Sequence, residues 1–233
     1  MTNNVDNKSY LATSIIVIII LSVSHQSLVY GLSSPSVYSK DSAPYGMPYT
    51  DWMNKWWQWH ISLPTKGHPF IIRNLENCPV GNFGQVSFLT NSIQGESRYT
   101  CTIPAGHAIL LRIAAAECST PELPADQRSP ADYIKCATEG QQYLTFEVTV
   151  DGVRINGLEQ NNALAKFFNI TIPEDNVYNI KSGTYKSVSA GYFAFLKPLP
   201  VGQHTISIAA RVVNPVDPSF NFAYHTLFNL KVQ

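Results

Sequence analysis

The most regular pattern in the chain is the alternation of apolar and polar residues near its C-terminal end. From Phe222 to Val232 the even-numbered positions are apolar except for Thr226, and positions 206–212 alternate in the same way. A period of two places successive side chains on opposite faces of a β-strand. Shorter runs between turn signals predict further strands at 85–90, 99–103, 108–115, 144–150, 167–172 and 191–196. The dipeptide Asp151-Gly152 predicts a hairpin turn after one of them.

Two segments have a helical pattern instead. In the first, apolar residues recur on one face between an expected N-cap at Thr50 and a stop at Pro64, namely Trp52, Trp56, Trp59 and Leu63. In the second, Ser129, Pro130 and Asp132 predict the start of a short helix that ends before Gly140. We therefore predict a mainly β fold, an antiparallel, jelly-roll-like sandwich with one tryptophan-rich helix and one short helix.

The N-terminal 31 residues have the pattern of a leader. Residues 11–23 are almost entirely apolar, which suits a signal-peptide core, whereas a membrane span needs about twenty such residues. We predict that residues 1–31 are a signal peptide or, if uncleaved, a signal anchor. Either one makes the chain extracytoplasmic, secreted or anchored by this segment. Residues 32–48 are predicted to be a tether and residues 49–233 a single domain.

The four cysteines agree with export, because an even number in an exported chain predicts disulfides. Three pairings are possible, and we choose sequence neighbours: Cys78 with Cys101, and Cys118 with Cys136. The second bond would staple the short helix. A zinc site is disfavoured because no Cys-x-x-Cys pair is present.

Charge and motifs exclude several function classes. The chain has sixteen basic and sixteen acidic residues, and the basic residues do not cluster. The sequence therefore gives no indication of a nucleic-acid-binding surface. The six histidines have no metal-ligand spacing, so neither a metal nor a cofactor is predicted. Hydrolase signatures are missing and no catalytic residue can be assigned. A carboxylate pair for glycan hydrolysis stays open, since such pairs are defined in space, and Glu117 is the acid to examine first for burial.

Several motifs together form an uncommon series: Trp52-x-x-x-Trp56-Trp57-x-Trp59, Cys78-x-x-Gly81, and Gly191-Tyr192-Phe193 followed by Leu196-x-Pro198-Leu199-x-x-Gly202-x-His204-Thr205-Ile206. The series resembles a group of uncharacterised exported prokaryotic proteins over residues 45–232. The resemblance implies export and a single disulfide-linked β domain, and it transfers no catalytic residue.

All four tryptophans lie between residues 52 and 59, in a segment that is either a core anchor or an exposed binding surface. Trp52, Trp56 and Trp59 form the core-facing stripe, whereas Trp57 lies off it beside His60, so these two are the predicted ligand-binding residues. We expect a binding or envelope-associated domain without enzymatic activity, whose partner is a carbohydrate or a cell-surface protein. The alternatives are an extracytoplasmic glycan hydrolase and a purely structural surface protein. Asn169 begins an N-glycosylation sequon.

Overall fold

The structure is a computed structural model that describes residue 1 and residues 35–233. The predicted leader therefore lies outside the described residues, apart from Met1. Among the described residues, neither helix is long and apolar enough to cross a bilayer.

Twelve strands and two α-helices make up the described part of the chain. The helices are α1 (Tyr49–Ser62) and α2 (Pro130–Thr138). The strands are β1 (Asn74–Leu75), β2 (Gly81–Phe83), β3 (Val86–Leu89), β4 (Gly95–Ile103), β5 (Ala108–Ser119), β6 (Leu144–Val150), β7 (Val153–Arg154), β8 (Asn162–Leu164), β9 (Phe168–Ile172), β10 (Gly183–Leu196), β11 (Gly202–Val212) and β12 (Phe222–Val232). The mainly β prediction is confirmed, and β6 and β12 have the predicted bounds.

The strands form two sheets, which we name A and B. Sheet A has the order β2-β3-β5-β10-β8, with β9 also paired to β10, and sheet B has the order β1-β4-β12-β11-β6-β7. Most neighbours are antiparallel, as expected, but three pairs are parallel: β1 with β4, β4 with β12, and β3 with β5. Strand β12, the longest alternating run, pairs with β4 on one side and β11 on the other.

The sandwich core lies between the two sheets and is filled by the inward positions of the alternating strands. Sheet B contributes the even-numbered residues of β11 and β12, such as Ile206, Ile208, Phe228 and Leu230. Sheet A contributes residues of β5 and β10, among them Leu111. Because the period is two, the odd-numbered residues of β11 and β12 lie on the outer face of sheet B.

The outer face of sheet A is covered by α1. Trp52 and Trp56 pack against the aromatic side chains that this sheet directs outward, including Phe88, Phe193 and Phe195. The helix begins at Tyr49, one residue before the expected cap, and ends at Ser62, two residues before Pro64. Leu63 is extended, as expected for a residue before proline.

Both predicted disulfides are present. Cys78 is bonded to Cys101, and Cys118 at the end of β5 is bonded to Cys136 on α2. The predicted capping box at Ser129 and Asp132 starts that helix. Paired cysteines of this kind are typical of proteins that fold in an oxidising compartment.

The segment predicted to be a tether lies along the domain over its described residues. Val37 forms a bridge with Leu196 of β10, and the Tyr38 amide donates a 2.8 Å hydrogen bond to the Phe195 carbonyl. Pro44 is buried, and its carbonyl accepts a 2.9 Å hydrogen bond from Trp52 Nε1. Residues 36–48 are therefore part of the packed structure.

Candidate functional site

The two predicted ligand-binding residues lie inside the protein. Trp57 is 4% exposed and His60 is 0% exposed. Both side chains are therefore covered by their neighbours. A ligand would reach either ring only after the surrounding side chains had moved, so a role for these two residues in binding stays a prediction.

His60 is held as a neutral imidazole by its surroundings. Its ring stacks on Trp56 with centroids 4.7 Å apart. Nε2 lies 2.7 Å from the Tyr178 hydroxyl and Nδ1 lies 2.8 Å from Thr90 Oγ1, so each nitrogen has one neutral partner. Burial, followed by the nearby charge of Arg112 and by His68, lowers the pKa of His60 well below its usual value. This ring is a packing and hydrogen-bonding element.

Trp57 is buried because the helix is covered on two sides. One face of α1 lies on β10, and the neighbouring face meets β9 and the segment around Tyr178 and Ile180, which packs against the same cluster. The pattern of apolar residues along α1 predicts only one buried face. The residues that cover the second face lie more than a hundred positions away in the sequence. The Trp57 indole also packs near the Arg112 guanidinium, 5.9 Å from the ring centroid.

A cavity of about 210 Å³ lies beside β5 and is the best candidate for a ligand site. It exists because β3 pairs with β5 only as far as Leu111 and then turns away. Opposite β10, the register shifts so that Ile113 has no partner, which is a β-bulge. Residues from both sheets and from the end of α2 line the resulting space: Ile93, Arg112, Ile113, Ala114, Ala115, Ala116, Glu139, Gly140, Gln141, Leu144, Val212, Phe222 and Tyr224.

Arg112 is the charged residue buried at the wall of this cavity. The residue is 5% exposed, and Nη1 donates a 3.2 Å hydrogen bond to the carbonyl of Ala115, which also lines the cavity. Its Nε and Nη2 are buried and have no hydrogen-bond partner among the described residues. The guanidinium lies 5.9 Å from the ring centroids of both Trp56 and Trp57. The guanidinium therefore lies against the tryptophan helix, and Arg112 is also among the residues that line the cavity.

A second wall residue, Tyr224, reaches across from sheet B. Its hydroxyl donates to the carbonyl of Ile113, the bulged residue of β5. Burial raises the pKa of this hydroxyl to about 12, so it stays a protonated donor at neutral pH. The bulge carbonyl is thus satisfied by the opposite sheet, which fixes the width of the cavity at this point.

Glu117 is half-buried and has a second carboxylate nearby. Burial, together with the charge of Glu122, raises the pKa of Glu117 to about 8. Its Oε1 accepts from the Ser187 hydroxyl, and Glu122 Oε2 accepts from the Ser119 amide at 2.6 Å and hydroxyl at 2.7 Å. Neither acid lines the cavity beside β5. Both carboxylates accept hydrogen bonds from nearby serines and so stabilise the local fold. The pair therefore gives little support to glycan hydrolysis.

The other residues singled out in the sequence lie apart from the cavity. His204 bonds Asp151 through Nδ1 at 2.7 Å and the Pro200 carbonyl through Nε2 at 2.9 Å, which ties the hairpin turn to β11. Asn169 is exposed on β9. Among the described residues, no group of three or more histidine, cysteine or acidic side chains is placed to hold a metal ion.

The cavity could not be predicted from the sequence, because its walls come from segments that are distant along the chain. Arg112 interrupts the apolar run of β5, and a lone charge in such a run is a usable signal for a buried polar site. The bulge at Ile113 and the far wall from sheet B depend on strand pairing. Neither can be found from one segment at a time.

Comparisons with known proteins give no family. No family model matches the chain, and no curated protein matches it. Among solved structures, a chain from the structure of PbICP-C in complex with falcipain-2 is 12% identical, with a TM-score of 0.25, over 64% of this chain and 100% of that chain. The cysteine protease inhibitor EhICP2 from Entamoeba histolytica is 9% identical, with a TM-score of 0.22, over 69% of this chain and 96% of that one. Similarity at this level transfers no function to the chain.

Proposed function

We propose that this chain is an exported binding domain that takes up a small apolar molecule with a carboxylate group in the cavity beside β5. One observation carries the proposal: Arg112, which lines a cavity with mainly apolar walls, has a buried guanidinium with two unpaired donors. Ligand sites generally combine such apolar walls with a few placed polar groups.

The chemistry of Arg112 favours an anion. An unpaired buried charge is unfavourable by several kcal/mol, and a carboxylate is the partner that fits the planar fork of a guanidinium. The cation–π contacts with Trp56 and Trp57 compensate the charge only in part, since such contacts contribute about 0.5–2 kcal/mol. A bound carboxylate would pair with Nε and Nη2 once the side chains that cover these two atoms had moved. Glu139 lies at the exposed rim and disfavours a ligand with a second negative charge.

The size of the cavity favours a short ligand. A cavity of about 150 Å³ is enough for benzene in another protein, so 210 Å³ holds one ring or a short alkyl chain with its carboxylate. The small side chains of Ala114, Ala115 and Ala116 leave this space on the β5 side. Leu144, Val212 and Phe222 close it from sheet B.

The proposed location is outside the cytoplasm. Two disulfides support it, and the apolar run at residues 11–23 supports delivery by a signal peptide or retention by a signal anchor. A carbohydrate partner gains no support from the tryptophans, because Trp52, Trp56 and Trp57 are buried. A cell-surface protein stays a possible partner if it presents an apolar side chain beside a carboxylate.

The test compares hexanoate, benzoate and hexan-1-ol by calorimetry, with tryptophan fluorescence as a second signal because Trp56 and Trp57 adjoin Arg112. Wild type should bind hexanoate or benzoate and bind the uncharged alcohol at least ten times more weakly. R112M should lose this discrimination, since the variant keeps side-chain volume but removes the charge. R211M is the matched control, because Arg211 is exposed on the outer face of sheet B.

A second variant tests the cavity without a change at Arg112. A114L adds volume inside the cavity while Arg112 stays in place, so it should weaken all three probes. Equal affinity of the alcohol and the acid for wild type would refute recognition of a carboxylate. No binding of any probe at millimolar concentration would refute the proposed function.

A further inference from the structure

Three polar side chains form a connected row on the outer face of sheet B. Ser207 of β11, His225 of β12 and Glu96 of β4 belong to three adjacent strands. Ser207 Oγ lies 2.9 Å from His225 Nε2, and His225 Nδ1 lies 2.7 Å from Glu96 Oε2. The row is on the opposite side of sheet B from the core and shares no residue with the lining of the cavity beside β5.

Strand register explains why the three groups meet. His225 is directly opposite Glu96 in the parallel pair of β12 and β4. On its other side His225 is opposite Ala209, whose small side chain leaves room for the imidazole to reach Ser207 two positions away on β11. All three side chains point outward because they share the outward parity of their strands.

The hydrogen-bond order fixes the roles of the two ring nitrogens. An ionised carboxylate only accepts hydrogen bonds, so Nδ1 of His225 carries the proton that is donated to Glu96. In the neutral imidazole Nε2 is then the acceptor, and the Ser207 hydroxyl donates to it. A hydroxyl bonded to a base that is itself oriented by a carboxylate is the arrangement of an activated serine nucleophile.

His204 shows that a histidine–carboxylate pair does not give this arrangement by itself. Its Nδ1 meets Asp151, but its Nε2 is used by the Pro200 carbonyl, and no hydroxyl lies on it. The His204 side chain is 12% exposed, whereas that of His225 is 43% exposed. Of these two pairs, only the one on the outer face of sheet B couples its histidine to a hydroxyl and opens to solvent.

We propose that Ser207 and His225 form an acyl-transfer site that hydrolyses small, activated carboxylic esters, with Glu96 as the positioning residue. Ser207 Oγ attacks the ester carbonyl carbon while its proton passes to His225 Nε2. The bond from that carbon to the alcohol oxygen breaks, and the alcohol leaves with the proton from Nε2. Water then attacks the acyl-serine, gives a proton to Nε2, and releases the carboxylic acid as Ser207 regains its hydrogen.

The surroundings of Ser207 define the substrate class. Thr149 of β6 is directly opposite Ser207 and offers a hydroxyl donor to the developing oxyanion. Leu227 is directly opposite on the other side and offers apolar contact to a short acyl group. A depression of about 270 Å³ lies on the Glu96 side of His225 and extends to Leu227, the residue opposite Ser207. One hydroxyl donor is a weak oxyanion site, so activated esters are the substrates and amides are not.

The first test uses a fluorophosphonate probe on the oxidised protein, with peptide mapping by mass spectrometry. The Ser207 Oγ–P bond forms, fluoride leaves, and the proton passes to His225. Wild type should be labelled at Ser207, and S207A should show none of this label. S219A is the matched control, because Ser219 is an exposed serine bonded to Asp217 with no histidine contact among the described residues.

The second test measures turnover of p-nitrophenyl acetate. H225Q should lower the rate at least 100-fold, which is the usual contribution of a general base. E96Q should lower the rate less and change its pH profile, which a merely structural role would not do. These variants lie outside the cavity beside β5, so hexanoate binding should be unchanged. Labelling equal in wild type and S207A, or E96Q and H225Q rates equal to that of wild type, would overturn the proposal.

Discussion

A histidine lies at the outer face of each of the two sheets, and the two histidines lie in opposite environments. On sheet A, α1 covers the face and His60 is 0% exposed between Tyr178 and Thr90. On sheet B, no helix among the described elements packs on the outer face, and the His225 side chain is 43% exposed between Ser207 and Glu96. Both rings use both nitrogens, yet one is fixed as a neutral packing element and the other is placed to exchange protons.

The difference lies in the partners and in the water. His60 is fully buried and has a cationic neighbour in Arg112, and both disfavour a positive ring. His225 has a carboxylate partner and open solvent, which tolerate a transient positive charge. The role of a histidine therefore depends less on its residue type than on the charge of the neighbouring groups and on its access to water.

The largest expected effect is a difference in the loss of stability between a truncation under α1 and a truncation on the outer face of sheet B. W56A should reduce the free energy of unfolding by about 3–5 kcal/mol, because a fully buried indole leaves a cavity. L227A, a smaller truncation on the outer face of sheet B, should cost less than about 1 kcal/mol. Urea unfolding measures both, and similar losses would contradict the contrast between a covered and an open face.

The next effect is a pH dependence that originates on the sheet A side. Glu117 has its pKa raised from 4.5 to about 8 in the folded state, so the folded protein binds more protons than the unfolded chain between these values. Stability should therefore fall as the pH rises from about 4.5 to 8, on the order of 2 kcal/mol after allowance for partial exposure. In E117Q the fall should be absent, as tested by melting across this range. A wild type and variant with parallel pH curves would show that Glu117 ionises freely.

A smaller effect divides two adjacent tryptophans. Trp56 Nε1 donates a 2.8 Å hydrogen bond to the Leu89 carbonyl, whereas Trp57 Nε1 is buried without a partner among the described residues. W56F should therefore be less stable than W57F by about 1 kcal/mol, since it alone removes a hydrogen bond. Chemical denaturation of the pair measures this, and equal stabilities would mean that water or a ligand satisfies Trp57.

The smallest effect concerns the polar row itself. S207A, H225Q and E96Q should each change stability by less than about 0.5 kcal/mol, because the row is at the surface of sheet B. Thermal melting checks this before any activity is measured. A large loss in any of the three would identify the row as a structural ladder between strands.

The sequence was informative where structure is local. The period-two pattern located β12 from Phe222 to Val232, and the capping residues located the start of α2 at Pro130. It was weaker where distant segments meet. The cover over Trp57 comes from residues beyond position 160, and the parallel pairing of β4 with β12 joins segments more than a hundred residues apart.

The polar row shows how a short boundary error hides a site. The alternation assigned His225 correctly to the outer side of its strand. However, β4 was predicted to begin at residue 99, and it begins at Gly95. Glu96 was therefore placed in a loop, where its register with His225 could not be inferred. Ser207 carried no motif at all, because the arrangement depends on three strands and not on one sequence.

The position of β12 has a consequence for the order in which the chain can fold during its synthesis. Strand β12 joins β4, made more than a hundred residues earlier, to β11, so sheet B is two separate pieces until residues 222–232 have been made. A nascent chain that stops at residue 221 lacks the strand that joins the two pieces. Sheet B is therefore completed only when β12 is added. Folding then starts from long-range pairing and is expected to be slow.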